Sequence, residues 1–228
     1  MEAAGLHAAY VLHSRRYGDS SLIVDLFIRE QGRVACIAKG ALRGKRVSPV
    51  KQPFQPLLVD VRGRGEVGTL ARVETNAAPV VLTGKKLYCG LYVNELLLKL
   101  TARHDAHPLL FDEYAGAVRG LGADNDLEPI LRHFEIRLLE ELGLGMSLDR
   151  DSDGHAIGPE CSYTYQVDTG PVKALATDAR ALRGKTLISL RSGRFADPGV
   201  QREARLLMRQ VLDHHLDGRP LRSRELFR

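Results

Sequence analysis

A chain of 228 residues, 44% hydrophobic and 27% charged, is globular rather than disordered and has room for one large or two small domains. Its three cysteines, Cys36, Cys89 and Cys161, are odd in number and far apart, which argues against a disulfide framework and for a reducing compartment. No apolar run is long enough to span a bilayer, and residues 1–20 lack a signal peptide's continuous apolar core; the expected location is the cytoplasm, away from membranes.

Up to residue 80, short apolar segments alternate with turn residues. Strands are expected near residues 6–13, 20–29, 33–41, 54–62 and 66–74, the second of them carrying the β-branched and aromatic run "SLIVDLFI". "REQGR" and "RGRGE" read as hairpin turns. Five short strands in so few residues suggest a small closed barrel, of which the five-stranded OB-fold is the common nucleic-acid-binding form. Past residue 80 the pattern turns helical. "GKKLYCGLYVNELLLKLTAR" reads as a central buried helix, a second helix covers about 109–121, and a third begins after the N-cap Asp126 and ends at Gly143 and Gly145. Residues 144–199 are rich in Gly, Asp and Pro with one strand-like run, "SYTYQV", and a last helix spans about 200–216. The expected class is α+β: an OB-fold, nucleic-acid-binding domain over 1–80, then a mainly helical domain over 81–228 with an irregular insertion at about 144–199.

The net charge of +5 is uneven. Residues 1–80 hold 12 Lys and Arg against 7 Asp and Glu, whereas the remaining residues hold 21 of each. Between Glu30 and Asp60 there are six cations and no acid: Arg33, Lys39, Arg43, Lys45, Arg46 and Lys51. A local field of this kind attracts polyanions, although a solvated basic loop has the same composition. Arg15 and Arg16, near the end of the first strand, join the candidates. Tyr17 and Phe54 are candidate stacking aromatics, Phe54 being the better suited to packing.

Catalytic patterns are missing: there is no Walker loop, no G-x-S-x-G and no H-E-x-x-H. No enzymatic site, metal or cofactor is expected. His104 and His107 flank Asp105 but lack a third ligand. In "DRDSDGHAIGPE", Asp149, Asp151, Asp153, Gly154 and Glu160 match every fixed position of an EF-hand loop. The flanks read as loop and strand rather than helix, so an acidic turn is expected in its place. His155 and Cys161 supply at most half of a zinc site.

"YVLHSRRYGDSSLIVDLFIREQGRVACIAKGA", "QPFQPLLVDVRGRGEVGTL", "LYVNELLLKL", "LRHFEIRLLEELGLG" and "RPLRSRELF" resemble, in order and across nearly the whole chain, the RecO family of bacterial recombinational repair proteins. The resemblance implies an amino-terminal OB-fold and a helical carboxy-terminal domain without turnover. It also implies binding to single- and double-stranded DNA, annealing of complementary strands, and action with RecR, in some members RecF, to load RecA on strands coated by single-strand-binding protein (SSB). Such a protein would be cytoplasmic and nucleoid-associated. Some members carry a cysteine zinc site after "LGLG"; only Cys161 stands there in this chain, so the zinc is not carried across. The alternative reading is an RNA- or ribosome-associated OB-fold adaptor. The resemblance further implies a contact with the acidic SSB tail, which needs an apolar pocket beside a cation. Arg132 with Leu110, Phe111 and Tyr114 is the candidate; Glu128 and Glu135 offer Arg132 ordinary helix-surface ion pairs instead.

Overall fold

Five strands near the amino terminus close into a barrel, each within a few residues of its expected place. The computed structural model describes residues 5–43, 48–63, 65–123 and 126–227. Strands β1 (His7–Tyr17), β2 (Ser21–Ile28), β3 (Gly32–Ala38), β4 (Leu57–Arg62) and β5 (Val67–Thr75) follow the cyclic order β1-β2-β3-β5-β4, with β4 returning to β1. Only the β3–β5 seam is parallel. Period-two alternation sends Ala9, Val11, Leu22, Val24, Leu26, Ile28, Val34, Cys36, Leu57 and Val59 into the barrel core. The β2–β3 hairpin turns at Gly32, whose φ of +69° suits glycine and where a Cβ would collide with the Asp105 carbonyl. A short 3-10 turn, Pro49–Lys51, plugs the core with the fully buried Val50.

The chain divides into two compact units, residues 1–123 with 221–228, and residues 124–220. The first unit therefore contains α1 (Gly84–Leu100) and α2 (Pro108–Gly122) as well as the barrel. The outward-facing Tyr10 and Phe27 are buried because α2 covers them: the Phe111 ring lies 5.6 Å from Tyr10 and 5.5 Å from Phe27. Asn94, buried on α1, donates to the Leu12 carbonyl of β1 at 3.0 Å and accepts from the Tyr114 hydroxyl of α2 at 2.8 Å. The closing 3-10 segment Arg222–Phe227 returns to α1, where Glu95 accepts from the backbone N–H groups of Arg222 and Ser223 and from the Ser223 hydroxyl.

The second unit opens with α3 (Leu127–Glu141), capped as expected by Asp126, whose carboxylate accepts from the Glu128 N–H. Residues 144–199 are more ordered than the sequence suggests. Strands β6 (Ser162–Gln166), β7 (Gly170–Lys173) and β8 (Leu182–Arg183) form a sheet in the order β7-β6-β8, followed by α4 (Gly184–Ser192). Two-to-four-residue strands, one of them reading "GPVK", and a nine-residue helix are too short to show a period. Helix α5 (Pro198–His215) buries Val200, Ala204, Leu207, Met208 and Val211, and packs on α3 and α4. Among the described residues no helix is long and apolar enough to cross a membrane.

Candidate nucleic-acid interface

A register shift between Val11 and His13 breaks the inward-outward alternation of β1, and beyond it residues 13–17 are all exposed. Arg16 pairs across the sheet with Leu22, and Leu22 with Ala38, so Arg15 and Arg16 stand at the same barrel end as the chain leaving β3. That chain is tied back by the Leu42 N–H, which donates to the Ser20 carbonyl at 2.9 Å. The exposed Lys39 and Arg43 thus share a neighbourhood with Arg15 and Arg16. Lys51 is exposed at the end of the 3-10 turn that plugs the core. Lys45 and Arg46 lie outside the described residues.

Between β3 and β5 this end opens into a cleft of about 560 Å³. The parallel pairing holds through Ala35↔Val67, Cys36↔Gly68 and Ile37↔Thr69, after which β3 turns away at Gly40 while β5 continues to Thr75 along β4. Lys39, Arg43 and Arg72 line the cleft together with Pro49, Leu70 and Val73, and no acid lines it among the described residues. A bulge opposite Asp60 and Val61 inserts Ala71 into β5, so Leu70 and Val73 both pack toward the core while Arg72 stays exposed. Arg72 is ion-paired to Glu74 on the same strand. Reading the sequence in strict alternation overlooks Arg72; the signal is the broken period of "LARV", two apolar residues three apart in a strand.

Arg33 sits elsewhere. It is half-buried, it donates to the Thr101 carbonyl at the end of α1 at 3.0 Å, and burial pulls its guanidinium below the usual arginine range. Its neighbours are Asp25 and Arg103 rather than the basic end. Of the two candidate aromatics, Tyr17 is 51% exposed and Phe54 only 1%. Phe54 packs against Gly90 of α1, where a Cβ would come within 2.5 Å of the ring, so it is a packing residue.

Leu110, Phe111 and Tyr114 are all buried in the first unit, Phe111 and Tyr114 against Tyr10 and Phe27 of the barrel. Burial pushes the Tyr114 phenol far up. Arg132 belongs to the second unit, 4% exposed, donating to Glu135 at 2.6 Å and Glu128 at 3.3 Å. All four thus have packing or ion-pair roles within their own units.

The acidic turn is a hairpin-like loop in which Arg150 bridges to Ala156. Asp151 accepts from the N–H groups of Asp153 and His155, and its other oxygen lies 3.6 Å from Lys173 Nζ. Burial pushes the Asp151 carboxyl up, but these bonds and charges outweigh it and hold it below the usual range. Asp151, Asp153 and His155 bring three possible ligand atoms together, two of the residues being exposed. α3 ends at Glu141, and β6 follows the loop, so the two helices of an EF-hand do not flank it. His107 is bonded to Asp105 at 3.2 Å, with His104 in the left-handed turn before it.

Two family descriptions match the chain end to end: "Recombination protein O N terminal" over residues 6–78 and "Recombination protein O C terminal" over residues 82–225. Among curated relatives, the DNA repair protein RecO of Methylococcus capsulatus is 47% identical over 225 residues, covering 98% of this chain and 93% of the relative. That of Aromatoleum aromaticum is 44% identical, covering 96% and 93%. That of Pseudomonas aeruginosa is 43% identical over 227 residues, covering 100% and 96%.

Proposed function

The chain belongs to the RecO family of DNA repair proteins, and from that premise we propose that it binds DNA through the basic end of its barrel and anneals complementary single strands. The observation that carries this reading is the gathering of Arg15, Arg16, Lys39, Arg43 and Arg72 around one barrel end, with Lys51 at its plug. Phosphates are neutralised there without base-edge readout, which suits a protein that must accept any sequence. An annealing protein must also leave most bases available, and a surface dominated by cations does so. In the cell the reading places the protein with RecR, and with RecF where it takes part, in the loading of RecA on SSB-coated strands. It acts in the cytoplasm at the nucleoid and has no catalytic step.

Replacing Arg43, Lys45 and Arg46 together by Ala should weaken binding to all sequences alike. On single strands it should flatten the dependence of log K on log salt by roughly 0.7 for each phosphate no longer neutralised. An unchanged affinity and slope would overturn the assignment. Annealing of complementary oligonucleotides coated by SSB then separates the mediator from an RNA-associated adaptor, which should not perform it.

A contact between the SSB tail and Arg132 belongs to the same reading. The guanidinium would have to offer the tail's terminal carboxylate a donor alongside those it gives Glu128 and Glu135. Arg132→Lys keeps the charge and loses the fork geometry. A tenfold weaker affinity for a tail peptide, measured at a temperature where circular dichroism shows the variant fully folded, supports the contact; unchanged affinity places the tail elsewhere.

A further inference from the structure

Resting on the DNA-binding reading above, we propose that the cleft between β3 and β5 seats one unpaired nucleotide of a bound single strand. Its base lies on Pro49, Leu70 and Val73, and its flanking phosphates reach Lys39, Arg43 and Arg72. Three features point to this occupant. The cleft is a partly open recess where two parallel strands part company after Ile37 and Thr69, and its volume of about 560 Å³ lies in the roughly 300–1,000 Å³ range of small-molecule sites. Its floor is apolar: Leu70, Val73 and Ala41 are half-buried and packed on the barrel core, so they offer nothing to a bare phosphate and a good surface to a planar base. Its rim is cationic, with Lys39, Arg43 and Arg72 exposed, and the acid nearest in sequence is Glu74, held by Arg72.

A duplex satisfies only half of this. It brings phosphates to the rim, but its bases are paired and stacked, and turning one into the recess costs a few kcal/mol of unstacking. A single strand turns a base inward at little cost. The cleft therefore makes the barrel prefer single strands while withholding only the seated base from a complementary strand. The neighbouring bases remain free to pair, which is compatible with annealing.

The test compares an oligothymidylate with the same backbone carrying evenly spaced abasic sites, using the full chain at fixed salt. The abasic strand should bind about tenfold more weakly, a difference of about 1.4 kcal/mol. Ala71→Trp fills the cleft from an exposed position. It should remove the difference between the two strands and leave affinity for blunt duplex within about twofold, since duplex binding is electrostatic. Crosslinking of a 5-iodouracil oligonucleotide to the parent chain keeps the question decidable if the variant does not fold. Adducts on residues 38–43, 48–49 or 70–73 support the seat, and adducts confined to other segments overturn it. Equal affinity for the abasic and intact strands also overturns it while leaving the DNA-binding reading in place. Failure of the parent chain to bind any DNA overturns both, and is recognised by the loss of the duplex signal as well.

Discussion

Arg33 and Lys39 are six residues apart, have the same formal charge and do different work. Lys39 projects into solvent at the cleft, whereas Arg33 is drawn back to the Thr101 carbonyl and shares its surroundings with Asp25 and Arg103. Arg33→Ala should lower stability by about 1.5–3 kcal/mol, the worth of a charge-assisted hydrogen bond, and leave the salt slope of DNA binding unchanged. Thermal denaturation and a salt titration on one preparation check both halves; a flattened slope would return Arg33 to the interface. Arg132 makes a similar point. Its partner Glu135 is fully buried, so Arg132→Ala strips a buried carboxylate of its guanidinium and should cost about 3–5 kcal/mol in a denaturant titration.

At the scale of elements, the backbone of the terminal 3-10 segment is tied to α1 by the Glu95 carboxylate. Burial pushes the Glu95 carboxyl up, yet bonds from the Ser223 side chain and backbone, the Arg222 N–H and Lys99 outweigh it and hold it below the usual range. A depressed carboxyl contributes stability that is fully present above its unfolded pKa, about 4.3, and is lost as pH falls through the lower folded value. Glu95→Gln should therefore cost about 1–2 kcal/mol at neutral pH. The gap in melting temperature between parent and variant should begin to narrow as pH falls below about 4.3 and close only once pH has passed the lower folded value, where the folded parent too is protonated. A gap independent of pH would mean that the segment is held by packing, such as the Tyr88–Phe227 ring contact, instead. The acidic turn is a second such element. Asp151 already spends one oxygen on two backbone N–H groups and faces Lys173 with the other, so calcium should leave the melting temperature unchanged. A rise of several degrees would make the turn a cation site.

At the scale of the molecule, the family descriptions part between residues 78 and 82, while the compact units part after residue 123. The physical difference is the aromatic layer beneath α2. A fragment of residues 1–80 would uncover Tyr10 and Phe27, each an aromatic of about 150–250 Å² when fully buried. It should aggregate or bind a hydrophobic dye, whereas residues 1–123 joined by a short linker to residues 221–228, the whole first unit, should remain monomeric. Size-exclusion chromatography of the two fragments decides it; a soluble, monomeric 1–80 fragment would show that the barrel does not need its helices.

The five strands, the long helices, the Asp126 cap and the concentration of charge in the first third of the chain are legible in the residues alone. These are local: a period of two or 3.6, a capping side chain and a count of charges need no knowledge of what lies across the core. Segments such as "LYVNELLLKL" and "RPLRSRELF", in their order along the chain, also carried the family. Which cations share a surface follows instead from how distant segments pack. Arg33 and Lys39 fall in one basic stretch, yet a carbonyl at the end of α1 takes the first out of the set. Arg72 is remote in sequence and enters it because a bulge and a parting pair of parallel strands turn it toward Lys39. Strands β1 and β2, far earlier in the chain, set the surroundings of Phe111 and Tyr114 in the same way. Long-range packing sets those neighbours, and no local pattern encodes it.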